Sequence, residues 1–432
     1  MLHTIEQFGR ACVIAAVFFV AFCRYVWLRA AGYGRSKITR DELRGEVVAG
    51  ALERLGATFV KFGQILATRP DILPEGVTRA LSRLQDAVPA APFEEVQRVL
   101  LEELGTQGRA RIVVIDPVPV AAASVAQVHR GRLDDGSDVA IKVQRASATW
   151  QIDRDLSLMA WGARLLDRLP GVRYMSLPGA VEQFADALRA QLDFRKEAEN
   201  NRRLAKNFAG DPRIRVPKLH EDLCTQRVLV MEFVDGIKPN EVTRDREELA
   251  RAGFGCIAQM VFLDGFVHAD LHPGNIMFAK TGEIFLIDLG LVAEIPTELR
   301  KPWVDTFLAL AANDGKRAAE LFYVYAPRVD GTDFEAFSNE IKAHFDRFIG
   351  KPLHEIEVTE AVAGAMATLR KHRVQVDPSF TVVHLAMLVA EGLGKQLDPK
   401  FDVYTCVGPY LMEATMRWTE GKPPLRQVPL AS

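Results

Sequence analysis

The chain has 432 residues, 48% of them hydrophobic, and a formal net charge of −2, enough for two or three structural units with sizeable cores. That near-neutral balance gives no support to a nucleic-acid binder, which would carry a basic domain or stripe. Five cysteines (Cys12, Cys23, Cys224, Cys256, Cys406) form no CxxC pair, which argues against a disulfide framework or zinc site and for free thiols in a reducing compartment.

Residues 11–23, ACVIAAVFFVAFC, carry no charge and are followed by Arg24, Arg29, Arg35, Lys37 and Arg40. The run is shorter than the ~20 residues of a membrane-spanning helix, although a snorkelling Arg24 would extend it. It reads as a membrane-lying or re-entrant helix, as a span, or as a buried core helix. No small-residue cleavage site follows, which disfavours a secretory signal, and the basic excess favours a cytoplasmic body. Residues 41–110 read as all-helical: GALERLGATFVKFGQILAT has helical spacing, RPDILP breaks it, and PFEEVQRVLLEELG forms another helix ending at Gly105. From about 111 the period shortens, with IVVIDP, SVAQVHRGRL and SDVAIKVQ as short strands separated by turn material. A long polar helical region is expected over 150–208, then strands in VPKLH and RVLVMEFVDG, then mostly helix from 245 onward. That order predicts an α+β, two-lobed fold: an apolar helix and candidate anchor over 1–40, a helical extension over 41–110, a strand-rich lobe over 111–235 and a helical lobe over 236–432.

In SDVAIKVQ, Val139, Ile141 and Val143 point one way on a strand and Ala140 and Lys142 the other. A lysine in such a strand fits an edge position, or it meets an anionic partner. VAIK is also the kinase strand motif whose lysine contacts nucleotide phosphates and pairs with a helix glutamate, and Glu182, Glu197 and Glu199 follow as candidates. Where a kinase carries a glycine-rich loop, this chain has AAASVAQVH, and alanine does not take the positive φ values that let such a loop drape its N–H groups. Further on, HADLHPGN places Asn275 five residues after Asp270, and NIMFAKTGEIFLID reads as a hairpin with Asp288 at its exit. Kinase chemistry needs one Asp near the attacking hydroxyl and an Asn and a second Asp for magnesium, and Asp270, Asn275 and Asp288 match in order and spacing. Singly each is a common turn or cap residue; with Lys142 upstream the set points to phosphoryl transfer. His268 and His272 are four apart, but a metal-binding helix of the HExxH kind would not run into Pro273 and Gly274, so they are expected to brace the loop.

These residues resemble the UbiB/AarF family of atypical kinases, associated with ubiquinone biosynthesis. The resemblance runs from about 45 to 405 and is carried by LGATFVKFGQILATRPDILP, PVAAASVAQVH, VAIKVQR, LDFRKEAEN, HADLHPGNIM, LIDLG and EGLGKQLDPKFD. It implies a protein-kinase-like fold with an N-terminal helical extension, and ATP or ADP with Mg²⁺ as cofactors. Lys61 and Gln64 of the KxGQ motif would sit on a helix covering the active site. Ala121, Ala122, Ala123, Ser124, Val125, Ala126, Gln127, Val128 and His129 would form an alanine-rich nucleotide loop. Lys142 would be the nucleotide lysine, paired with Glu197. Residues 231–234, with Glu232 and Val234, would be the adenine-reading hinge. Asp270 would be the catalytic aspartate, and Asn275 and Asp288 the magnesium ligands. One departure concerns the family's ExD motif, here Gln191-Leu192-Asp193, so that only Asp193 retains a charge to meet Lys61. No paired C-terminal membrane helices are seen, so attachment to the cytoplasmic side of a membrane would rest on the N-terminal segment. Membrane lipid or quinone precursors and quinone-biosynthesis enzymes are the implied partners. The alternatives are a nucleotide-gated lipid-binding or chaperone-like protein, and a small-molecule kinase of the aminoglycoside-phosphotransferase type. An ordinary protein kinase is disfavoured, because His268-Ala269-Asp270 lacks the arginine that pairs with a phosphorylated activation loop.

Overall fold

The computed structural model describes residues 2–33, 36–67, 73–84, 89–167, 177–348 and 358–429. The RPDILP break and the middle of the SRLQDAVP stretch fall largely outside these, as does Arg35. Two compact units emerge, one from residues 1–199 and 218–233, the other from 200–217 and 234–432. The chain therefore passes between them at 199/200, 217/218 and 233/234.

The first unit opens with α1 (Leu2–Ala30) and α2 (Lys37–Leu55), which run antiparallel. Near one end Arg10 Nη2 donates to the Leu55 carbonyl at 2.6 Å, and near the other Tyr25 bonds Arg44. The helix expected across GALERLGATFVKFGQILAT is in fact two, because Gly56 at φ 92° ends α2 and starts α3 (Ala57–Ala67) in a new direction. Helix α4 (Glu75–Leu81) crosses α2 at two glycines: a Cβ on Gly45 would lie 2.7 Å from Ala80 Cβ and 2.8 Å from the Gly76 carbonyl oxygen. Within α5 (Phe93–Ala110) the helix breaks at Gly105 (φ 64°), where the sequence predicts its end, and a further turn follows.

Strands β1 (Ile112–Ile115), β2 (Ala121–Ala122), β3 (Ala126–Leu133) and β4 (Asp138–Gln144) come next. After β5 (Ile214–Arg215), which belongs to the second unit, β6 (Val228–Glu232) completes an antiparallel sheet of order β1-β3-β4-β6, with β2 on β3. Alternation along β4 is as the sequence predicts: Val139, Ile141 and Val143 are fully buried against Val99 and Leu100 of α5, and Lys142 faces the other side. The helical region expected over 150–208 is α6 (Ala148–Leu166), α7 (Leu177–Gln191) and α8 (Phe194–Asn207). VPKLH does not form the expected strand; it contributes one isolated bridge, Leu219 to Met231, and pairing falls instead on β5 just before it.

In the second unit β5 pairs in parallel with β10 (Ile284–Leu286), which pairs with β9 (Ile276–Ala279), itself paired with β7 (Gly236–Ile237). Strands β9 and β10 are the hairpin read from NIMFAKTGEIFLID. Helix α9 (Arg246–Ala258) runs into a π-helical turn at Gln259–Asp264, closed by Gly265 at φ 61°, and leads to β8 (Phe266–His268), which pairs with β11 (Val292–Glu294). Helices α10 (Thr297–Ala311), α11 (Gly315–Tyr325), α12 (Phe334–Asp346), α13 (Val358–Lys371), α14 (Pro378–Leu397) and α15 (Val403–Arg417) surround an aromatic core in which Phe380 packs 4.6 Å from Trp303 and 5.3 Å from Phe322.

Candidate active site

In the first unit, Lys142 Nζ lies 2.9 Å from each carboxylate oxygen of Glu197. The side chains are 12% and 5% exposed, so water screens little of this pair, and the ~several kcal/mol cost of burying each ion is a reason to look for function in it. Glu197 belongs to the first turn of α8, where the positive end of the helix dipole favours a carboxylate. Lys142 also sits 5.4 Å from the Phe194 ring centre.

The alanine-rich stretch is a hairpin. Ala121 and Ala122 pair with Val128 and Gln127, and Ala123 N–H closes the turn onto the Ala126 carbonyl at 2.8 Å. Arg145 clamps it: its Nε donates to the Ala123 carbonyl (2.9 Å), its backbone N–H to the Val125 carbonyl (2.9 Å) and its Nη2 to the Pro89 carbonyl (2.5 Å). The sequence shows Arg145 as the last residue of VAIKVQR but does not reveal that role. The Ser124 hydroxyl is buried and has no hydrogen-bond partner among the described residues. Gln127 and His129 are buried and turned into a closed network. Gln127 Oε1 accepts from Ala91 N–H (2.8 Å) and its Nε2 donates to His129 Nε2 (2.9 Å), while His129 Nδ1 donates to the Asp116 carbonyl (2.7 Å). Their side chains hold the hairpin in place. Glu232 ends β6 and accepts from Lys218 N–H at 3.2 Å, and Val234 opens the second unit's long segment.

Lys61 and Gln64 lie on α3, and Gln64 Nε2 donates to the Leu84 carbonyl at 3.1 Å. The glycine between them has a packing reason: a Cβ on Gly63 would come within 2.7 Å of Leu52 Cδ1 and collide with Leu84. Phe62 and Ile65 pack on the α6–α7 cluster that also receives Val125 from the alanine turn, with Phe62 and Phe184 edge to face at 5.0 Å. Asp193 precedes α8 and takes two side-chain bonds from Arg195 (2.8 and 2.7 Å), which hold its carboxyl below the usual range.

In the second unit, His268 ties the two acidic loops together. Its Nδ1 accepts from Asp270 N–H (3.2 Å) and its Nε2 donates to the Ile287 carbonyl (3.3 Å), which fixes a neutral ring; burial pushes its pKa down. Asn275 Nδ2 donates to the Asp270 carbonyl (2.9 Å), and Ile287 N–H donates to the Asn275 carbonyl (3.0 Å). This orientation keeps Asn275 Oδ1 out of that bond, as a metal ligand requires. Asp288 is exposed and left-handed, at φ 57°. His272 Nδ1 accepts from Gly274 N–H (3.0 Å), so both histidines brace the loop as expected. Sequence reasoning missed Asn200, whose Nδ2 donates to the Leu289 carbonyl beside Asp288 at 2.9 Å.

These arrangements define a protein-kinase-like enzyme class. Residues 83–322 match the ABC1 atypical kinase-like domain and 341–402 the UbiB helical domain. The chain is 33% identical to the probable protein kinase UbiB of Azotobacter vinelandii, covering 89% of this chain and 75% of that one. It is 31% identical to the probable protein kinase UbiB of Shewanella woodyi, covering 90% and 72%. The Mycobacterium tuberculosis protein Rv3197, solved in complex with erythromycin, shares the fold at a TM-score of 0.56 and 24% identity, covering 86% of this chain and 95% of that one. The chain belongs to the UbiB family of atypical kinases, which serves ubiquinone biosynthesis.

Proposed function

We propose that the chain binds ATP or ADP with Mg²⁺ and transfers the terminal phosphoryl group of ATP to a hydroxyl or to water. We place it on the cytoplasmic side of a membrane, with quinone precursors, lipid and quinone-biosynthesis enzymes as partners. The observation that carries the reading is the hydrogen-bonded set His268, Asp270, Asn275 and Ile287, which fixes the backbone around all three acid and amide candidates. Lys142, paired with Glu197, engages phosphate oxygens, and the Ser124 hydroxyl offers the alanine turn a donor. Asn275 Oδ1 and Asp288 would hold Mg²⁺, which supplies charge neutralisation on the phosphates when bound. Asp270 accepts the proton of the attacking hydroxyl as its oxygen bonds to phosphorus and the bond to the ADP oxygen breaks. Asp288 serves nucleotide binding, whereas Asp270 serves turnover and returns its proton to solvent. The test is ATP hydrolysis beside ADP binding in wild type and Asp270→Asn. Hydrolysis should fall by a factor of roughly 100 or more with ADP affinity kept. Equal hydrolysis by both proteins would overturn the assignment.

A further inference from the structure

Building on the membrane reading above, we propose that α1 lies flat on an anionic lipid bilayer and does not cross it. By length and composition alone it could span, since Glu6–Ala30 is 25 residues long and contains an 18-residue window of mean hydropathy 2.2. Its inner face forbids this. Arg10 makes a two-pronged ion pair with Asp155 of α6, at 2.8 and 2.7 Å, beside its bond to the Leu55 carbonyl. Ile14 and Val17 pack on the core of α2, α3 and α4, and Tyr25 bonds Arg44. The helix is thus tied to the body from residue 10 to 25, a length of roughly 22 Å. Its neighbour α2, KITRDELRGEVVAGALERL, is charged along its length and does not enter hydrocarbon. A crossing α1 would have to peel off α2 and leave Asp155, 4% exposed, with its two-pronged Arg10 contact broken.

The outer face is what a bilayer takes. Phe8, Phe19, Phe22 and Trp27 are 71, 67, 64 and 67% exposed, and residues 11–23 carry no charge to hydrate that face. At its C-terminal end Arg24 and Arg29 stand with Trp27 and exposed Tyr33, the aromatic and basic rim of an interfacial helix. A second copy fits this end poorly, because α1 offers it only one acid, Glu6. Anionic headgroups satisfy it.

The test uses the full chain with an N-terminal tag, the double variant Phe19→Ser/Phe22→Ser, and phosphatidylcholine vesicles with and without phosphatidylglycerol. ADP binding by both proteins serves as the folding control. Wild type should bind the phosphatidylglycerol vesicles more tightly, and the variant should lose on the order of 100-fold in partitioning while still binding ADP. In sealed membranes from expressing cells, with the body outward, protease added outside should remove the tag. A tag protected until detergent is added means a span and overturns the proposal. Equal vesicle binding by the variant overturns it, as does a variant that loses only self-association in lipid-free solution. Wild type that binds ADP but no vesicle sinks the membrane reading itself, leaving the nucleotide assignment standing.

Discussion

Asp288 combines strain and charge at one position. At φ 57° a non-glycine residue costs roughly 1–2 kcal/mol, a cost met here beside the expected metal. Asn tolerates this conformation and Gly relieves it, so two substitutions separate the backbone from the carboxylate. Asp288→Asn should leave the melting temperature nearly unchanged and abolish magnesium-dependent ADP binding. Asp288→Gly should be equally inactive and up to about 1 kcal/mol more stable. Unchanged ADP affinity with magnesium in either variant counts against the metal role. The chemistry-bearing residues were legible because their type and spacing are written in the chain. Their partners were legible only in part. Spacing offered Glu182, Glu197 and Glu199 to Lys142 without choosing among them; the family resemblance chose Glu197, and the start of α8 brings it to the lysine. Likewise nothing in QLD announces that Arg195 occupies Asp193.

Among the elements, the α2–α4 crossing and the alanine hairpin are the most exposed to single changes. A Cβ on Gly45 meets backbone at Gly76 and Val77, which cannot swing aside, so Gly45→Ala should destabilise the extension by about 1–3 kcal/mol, read as a lower denaturant midpoint. In the hairpin, Ala122 is in regular pairing with Gln127 and the turn is held by Arg145. Ala122→Gly should loosen it and change the ratio of ATP to ADP affinity; identical ratios in calorimetry would refute a role for its stiffness. Element types were largely readable, from periodicity in β4 and in the β9–β10 hairpin. Boundaries were less so. The apolar period runs unbroken through Gly56, and only a positive φ turns one helix into α2 and α3. VPKLH has strand composition but contributes only an isolated bridge at Leu219, because tertiary pairing outranks local preference.

At the scale of the whole molecule, acid should be a stronger stress than base. His268 and His344 have lowered pKa values through burial, and His384, also buried, is pushed down to about 4 with its Nδ1 unpartnered among the described residues. All three are neutral when folded and take up protons on unfolding near their ordinary value of 6.5. Their contribution is therefore whole above that pH and is lost as pH falls towards the folded values. For His384 the loss is on the order of 3 kcal/mol, and His384→Gln should flatten the pH dependence of denaturant melts between about pH 6.5 and 4; parallel curves would refute it. A different consequence follows from the three passages of the chain between units. Strand β5, which completes the β5-β10-β9-β7 sheet, is encoded between two stretches of the other unit. No single genetic break yields either unit whole: a gene starting at Val234 would lack Ile214 and Val216 from its core, and one ending at Phe233 would carry them without theirs. A single crossover therefore cannot exchange one unit for a relative's without dividing a core.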